Sequence, residues 1–124
     1  MMMLNDRLYT ISRFEEQAGK ISATIMLNTG HKIFEGHFPG QPVLPGVCMI
    51  QIIKELTEKA TGKTLLLNEA AQCKFLSMVD PAKTPVLEAA VDYQQPEAAP
   101  IVINGILKNE AATFFKINAR LQVM

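Results

Sequence analysis

The order of apolar and polar residues predicts a β-hairpin at the start of the chain. Residues 20–27 alternate between apolar and polar side chains, which is the period of a half-buried strand. Residues 8–14 also alternate, although both sets of positions are partly apolar. Because Ala18-Gly19 supplies turn residues between the two segments, we expect them to pair as a hairpin.

A helix is predicted from about residue 45 to residue 60, ending near Gly62. Its first half is apolar nearly all round, while its second half carries lysine and glutamate. A helix that is apolar on every side is typical of a buried helix. We therefore expect this helix at the centre of the molecule, and we expect Met49, together with Met78 beyond the helix, in the core.

Beyond Gly62 the pattern is that of β-structure. We predict one long strand over 65–79 that bends at 68–72, followed by strands at 85–93, 101–107 and 112–123, with turns at 94–100 and 108–110. Long strands joined by short turns favour an antiparallel meander around the helix. Since no internal repeat or linker interrupts the pattern, we expect a single domain over 1–124.

Composition narrows the class of protein. With 124 residues, 48% hydrophobic and 19% charged, the chain is long enough for one globular core. Twelve basic and 12 acidic residues balance, so charge gives no attraction to nucleic acid or to an anionic membrane. No apolar run approaches the roughly 18 residues of a membrane span. We expect a cytoplasmic protein in which Cys48 and Cys73 are buried, reduced thiols.

The candidate chemistry lies in residues 36–46, GHFPGQPVLPG. Each of the two Pro-Gly pairs favours a tight turn, and the second pair opens the predicted helix. There the Gly46 N–H would lie at the positive end of the helix dipole, where a carbonyl oxygen or an anion can bind. His37, on the same rigid loop, could act as a base. A loop histidine held by backbone carbonyls is the alternative.

The segment GHFPGQPVLPGV resembles the signature of the 3-hydroxyacyl-acyl-carrier-protein dehydratases (the FabA/FabZ type), which belong to the hotdog-fold superfamily. The resemblance implies an α+β hotdog fold, an antiparallel sheet wrapped around one long central helix. It implies His37 as the catalytic base and Gly46 N–H as the group that binds the thioester carbonyl, with Phe38 and Val47 also in contact with substrate. It further implies a substrate linked to acyl carrier protein in fatty-acid or related synthesis, a homodimer, and neither a metal nor an organic cofactor. Because the wall beside the helix also lines the acyl tunnel in this family, the resemblance gives Met49 and Met78 an alternative place beside the substrate.

One position departs from this pattern. The family places a carboxylate fourteen residues after the histidine, where this chain has Gln51. An amide cannot release a proton, although it can donate and accept hydrogen bonds. Glu55, one turn later, could replace the acid, or the imidazolium of His37 could return its proton to the leaving hydroxyl while Gln51 orients it. Without the motif, Gln51 would be interpreted as a solvated residue of the helix, beside Glu55 and Glu58.

These observations leave three functions open. The leading prediction is a dehydratase or dehydratase-like protein with His37 and Gln51 at the reacting atoms. A thioesterase on the same fold is the second, because an amide can position water. The third is a subunit that is not active alone: it binds the carrier protein or pairs with an intact dehydratase in a heterodimer that supplies the missing acid.

Overall fold

The computed structural model describes residues 4, 6–34, 43–95 and 100–124. Its elements follow the predicted order: β1 (Tyr9–Gln17), β2 (Lys20–Leu27), a short 3₁₀ turn (Lys32–Phe34), α1 (Gly46–Thr61), β3 (Leu65–Phe75), β4 (Val86–Gln94), β5 (Ile101–Lys108) and β6 (Thr113–Val123). Within these ranges, no helix is both long and apolar enough to cross a membrane.

The strands form one antiparallel sheet in the order β1-β2-β4-β5-β6-β3. β1 and β3 are therefore its edges. α1 is the one long helix of the described part, and it contacts every strand from β2 to β6. Ile52, Ile53 and Leu56 on α1 are completely buried against the curled sheet. The predicted hotdog architecture is confirmed.

Local sequence explains where several elements begin and end. In β2 and β5 every second residue is buried, as the alternating pattern predicts. The β1–β2 turn uses two positive φ angles, 52° at Ala18 and 81° at Gly19. Such a turn matches the twist of a hairpin. α1 ends at Gly62, whose φ of 69° is left-handed and whose N–H donates to Glu58 O at 2.8 Å.

Three expectations from the sequence need correction. β3 ends at Phe75 and not at residue 79, because the chain then leaves the sheet and the Val79 carbonyl accepts a hydrogen bond from Leu44 N at 2.9 Å. Met49 is buried as predicted, but Met78, in the segment beyond β3, is 75% exposed. α1 is not buried on every side, since Val47 in its first turn is 60% exposed.

Candidate functional site

The site begins at the first turn of α1. Pro45 is the N-cap, with φ −63° and ψ 148°, and it supplies no side-chain hydrogen bond to the helix. Cys48 N and Met49 N donate to Pro45 O at 3.0 and 3.2 Å. The Gly46 N–H precedes these bonds, so it belongs to the N–H groups that a helix leaves without an internal acceptor. This is the geometry predicted for an amide that binds a carbonyl oxygen.

Gly46 also lies against an aromatic ring. A Cβ added at Gly46 would be 2.7 Å from Phe75 Cε1 and 2.9 Å from Cζ, closer than real side chains approach. The Phe75 ring stacks on Phe115, with ring centroids 5.0 Å apart. Glycine at position 46 is therefore what allows the start of α1 to contact the end of β3.

An open hollow of about 570 Å³ lies beside Gly46. Its lining is mostly apolar and comes from the start of α1 and from the segment that follows β3. The residues that line it include Val43, Leu44, Pro45, Gly46, Met49, Phe75 and Met78. An apolar cleft beside a hydrogen-bond donor is a place where an acyl thioester can bind. Phe75 was not among the predicted site residues, because the sequence does not reveal that the end of β3 returns to α1.

Gln51 is buried and hydrogen-bonded. Gln51 is 6% exposed, and its Nε2 donates to Glu55 Oε2 at 2.7 Å. Glu55, 4% exposed, also accepts from Leu4 N at 2.8 Å and from the Tyr9 hydroxyl at 3.0 Å. The interpretation of Gln51 as a solvated residue of a polar face is wrong, because Gln51 is buried against Glu55, which in turn is bonded to the N-terminal segment and to β1.

Tyr9 is the member of this group that sequence reasoning missed. It is 1% exposed on β1, and burial together with the Glu55 carboxylate raises the pKa of its phenol. The phenol therefore stays protonated and donates to Glu55. A buried tyrosine hydroxyl usually has a hydrogen-bond partner. The presence of Tyr9 in a predicted strand was therefore the sequence signal for a polar partner in the core.

A second hollow, of about 280 Å³, lies beside Gln51. Val47 and Gln51 are one helical turn apart and line it together with Ile50, Lys54, Leu66 and Leu67. Gly46 is not among these residues and lines the first hollow instead. The structure therefore brings Val47 together with Gln51, and it places Gly46 on a different side of α1.

The remaining predicted residues are His37 and Phe38, and both lie outside the described residues. Of the two cysteines, Cys48 is buried as predicted, whereas Cys73 is half-buried. Burial raises the pKa of both thiols. Across the described ranges, no cluster of three or more His, Cys, Asp or Glu side chains could hold a metal ion.

Comparison with known proteins identifies the family. The ApeI-like family, described as ApeI dehydratase, matches residues 13–104, well over half of the chain. A 3-hydroxyacyl-[acyl-carrier-protein] dehydratase FabZ from Clostridium acetobutylicum is 32% identical over 97 residues, which are 73% of this chain and 66% of that protein. FabZ from Lactobacillus helveticus is 33% identical over 82 residues, 60% of this chain and 55% of that protein. The match thus spans less than two thirds of these two relatives.

Solved structures share the fold. The dehydratase heterocomplex ApeI:P from Xenorhabdus doucetiae contains a chain that is 19% identical, with a TM-score of 0.70, covering 90% of this chain and 95% of that one. A thioesterase from Haemophilus influenzae is also 19% identical, with a TM-score of 0.65, covering 95% of this chain and 80% of that one. Fold similarity therefore includes both dehydratases and thioesterases, whereas the sequence match is to dehydratases: the chain belongs to the ApeI-like dehydratase family of hotdog proteins.

Proposed function

We propose that this chain dehydrates 3-hydroxyacyl thioesters carried on acyl carrier protein, in fatty-acid or related acyl-chain biosynthesis. The observation that carries the proposal is the arrangement on α1, where Gly46, at the helix start that Pro45 leaves without a side-chain cap, and the buried amide of Gln51 each border an apolar hollow. Family membership and the FabZ relatives support the same reaction.

In this proposal His37 removes the proton from C2 of the substrate. A neutral imidazole, with a reference pKa of about 6.5, suits that step. The assignment rests on the GHFPG motif, since His37 is outside the described residues. Phe38, in the same motif, would contact the acyl chain.

Gly46 N–H would bind the thioester carbonyl oxygen. As the C2 proton departs, negative charge develops on that oxygen, and a fixed N–H donor at a helix start stabilises it. Two observations support this role: Gly46 lines the apolar hollow, and it lies against the Phe75 ring.

Gln51 would orient the hydroxyl on C3, and Val47 would contact the acyl group beside it. The C3–O bond breaks, the C2 proton held on His37 passes to the departing oxygen, and the products are water and the enoyl thioester. A positioned carboxyl acid is worth roughly 10² to 10⁴ in rate, about 3 to 5 kcal/mol. We therefore expect slower turnover than a site with a carboxylic acid would give.

The separation of the two hollows favours a complete site that needs two chains. Gly46 borders one hollow and Gln51 the other, so a second copy could bring the Gln51 side of one protomer to the Gly46 side of its partner. The same arrangement supports the second candidate, a heterodimer in which an intact dehydratase supplies the acid. A chain with a similar fold occurs in the dehydratase heterocomplex ApeI:P, which supports this candidate.

Product analysis distinguishes these functions. The purified protein is incubated alone with 3-hydroxyacyl-acyl carrier protein, beside a folded His37→Ala variant, and the carrier-bound products are followed by mass spectrometry. Enoyl thioester that disappears in His37→Ala is the expected result. Free acid would indicate a thioesterase. No product from the folded protein alone would contradict independent activity and favour the heterodimer.

A further inference from the structure

A buried hydrogen-bond network surrounds Glu55, one turn after Gln51. Three donors from separate parts of the chain converge on its carboxylate: Leu4 N and Gln51 Nε2 on Oε2, and the Tyr9 hydroxyl on Oε1. The carboxylate is thus held from the N-terminal segment, from β1 and from α1.

The polar groups of this network lie in an otherwise apolar core. Burying a carboxylate and an amide is expensive, and well-packed apolar residues often stabilise such a place equally well. Buried polar groups that are hydrogen-bonded to each other do, however, hold each other in one orientation. Fixed orientation of Gln51 is therefore the property that distinguishes this network from an apolar core.

The bond to Glu55 decides which way the Gln51 amide faces. A carboxylate accepts hydrogen bonds, so it binds the Nε2 end of an amide and repels the carbonyl end. Because Nε2 donates to Glu55 at 2.7 Å, Oε1 is directed away from Glu55. Gln51 also lines the hollow beside Val47, so this amide is within reach of a bound substrate.

We propose that Glu55 is a positioning residue, which holds the Gln51 amide so that Oε1 accepts the hydrogen of the substrate's 3-hydroxyl. The inference rests on the dehydratase function proposed above and adds a residue to that site. Donation to a carboxylate also increases the electron density on Oε1, because linked hydrogen bonds polarise one another. Gln51 then acts as an acceptor that orients the C3–O bond, and Glu55 does not contact the substrate.

The first test compares Glu55→Met with Glu58→Met. Glu58 is the control on the same helix: its side chain is 11% exposed, and its Oε2 accepts from Leu65 N at 2.8 Å and pairs with Lys54 Nζ at 3.5 Å. The Gln51 amide donates to Glu55 instead. Misplacing a group that aligns a reacting bond lowers turnover, so we expect Glu55→Met to lose about tenfold or more in kcat while KM changes less. Glu58→Met should keep kcat. Unchanged kcat in folded Glu55→Met, with an active wild-type protein, would overturn the proposal.

Exchanging the two residues is a second test, which separates positioning from simple loss of stability. In the double variant Gln51→Glu/Glu55→Gln the hydrogen bond is retained with donor and acceptor reversed. We expect its kcat to recover to at least the wild-type value, since a held carboxyl group then faces the hydroxyl. A double variant that folds but stays as slow as Glu55→Met would count against the proposal.

A third measurement does not require activity. The side-chain ¹⁵N amide signal of Gln51, assigned by its loss in Gln51→Leu, reports the hydrogen bond directly. We expect the signal to move in Glu55→Met and to stay in place in Glu58→Met. A Gln51 signal that is unchanged in Glu55→Met would overturn the inference, whether or not the protein is enzymatically active. If the signal moves but the wild-type protein is inactive alone, its independent dehydratase activity fails, and the catalytic half of this inference fails with it.

Discussion

At the scale of single residues, the sequence identified the position of Gln51 but not its surroundings. Its place relative to the GHFPG motif marked it as a replacement for a carboxylate. Its burial could not be predicted, because Gln51, Glu55 and Glu58 together have the pattern of a solvated helix face. The partners that bury Glu55 come from Leu4 and Tyr9, about fifty residues earlier in the chain.

Gly46→Ala tests the close contact at the helix start. The added methyl would meet the Phe75 ring at 2.7 Å, and we expect about tenfold or greater loss of kcat/KM because the ring and the Gly46 N–H can no longer share this space. Stability should change by under about 1 kcal/mol, since Phe75 is half exposed and alanine favours helix.

Gly62→Ala provides the opposite control. It leaves the site untouched, but its φ of 69° strains any side chain, so unfolding should become easier by about 1 kcal/mol with kcat unchanged. Activity assays and urea unfolding of Gly46→Ala and Gly62→Ala measure the two effects separately. Equal activity in Gly46→Ala and the wild-type protein would contradict a carbonyl-binding role for Gly46.

The two thiols give a residue-scale prediction that is independent of function. Cys48 is 3% exposed in the first turns of α1, whereas Cys73 is half-buried in β3. Because the thiolate reacts and access limits it, Cys73 should react with a thiol reagent about tenfold faster than Cys48 in the native protein. Mass spectrometry of the labelled peptides measures this ratio. Faster labelling of Cys48 would mean that the start of α1 opens readily.

At the scale of elements, strands were more predictable than the surface of the helix. β2 was predicted residue for residue, because its alternation of apolar and polar side chains matches a sheet with one buried face. The exposure of Val47 and the end of β3 at Phe75 depend on contacts between segments that are far apart in the sequence. The local pattern of apolar and polar residues does not predict such contacts.

The approach of α1 to the sheet depends on Gly105 in β5. A Cβ there would lie 2.8 Å from Ile53 Cγ2 and 3.2 Å from Ile117 Cγ2. Both neighbours are buried, so Gly105→Ala should overpack the core and lower the free energy of unfolding by about 1 to 3 kcal/mol.

Gly30→Ala is the matched control for Gly105→Ala. Its nearest contact, Asn28 Oδ1 at 3.6 Å, is ordinary, so we expect a change within about 0.5 kcal/mol. Urea unfolding of both variants provides the comparison. Similar stability of Gly105→Ala and the wild-type protein would mean that α1 can move away from β5 at little cost.

At the scale of the whole molecule, the two edges of the sheet differ. β1 carries Arg13, Glu15 and Glu16, and charged edges resist pairing with another strand. β3 also carries one exposed lysine, Lys74, but its Leu66 is 53% exposed and it ends at the half-exposed Phe75. These apolar side chains border the two hollows, so the surface around β3 is where we expect a second chain to bind.

Sedimentation measures this association. We expect a dimer of the wild-type protein, and we expect Leu66→Lys to weaken it at least about tenfold because a buried, unpaired charge is costly. Met26→Lys is the control, since Met26 is 47% exposed on an interior strand of the sheet. Equal effects of the two substitutions, or a monomeric wild-type protein, would contradict an interface at β3.

The most direct test of the proposed chemistry is the reverse reaction in D₂O. An enoyl thioester on acyl carrier protein is incubated with the purified protein, and the product is analysed by mass spectrometry after exchangeable deuterium has been washed out. If His37 exchanges a proton with C2, the product is a 3-hydroxyacyl thioester with one deuterium at C2, and folded His37→Ala gives none. Recovery of unchanged enoyl thioester, or of free acid, from the folded wild-type protein would contradict the account.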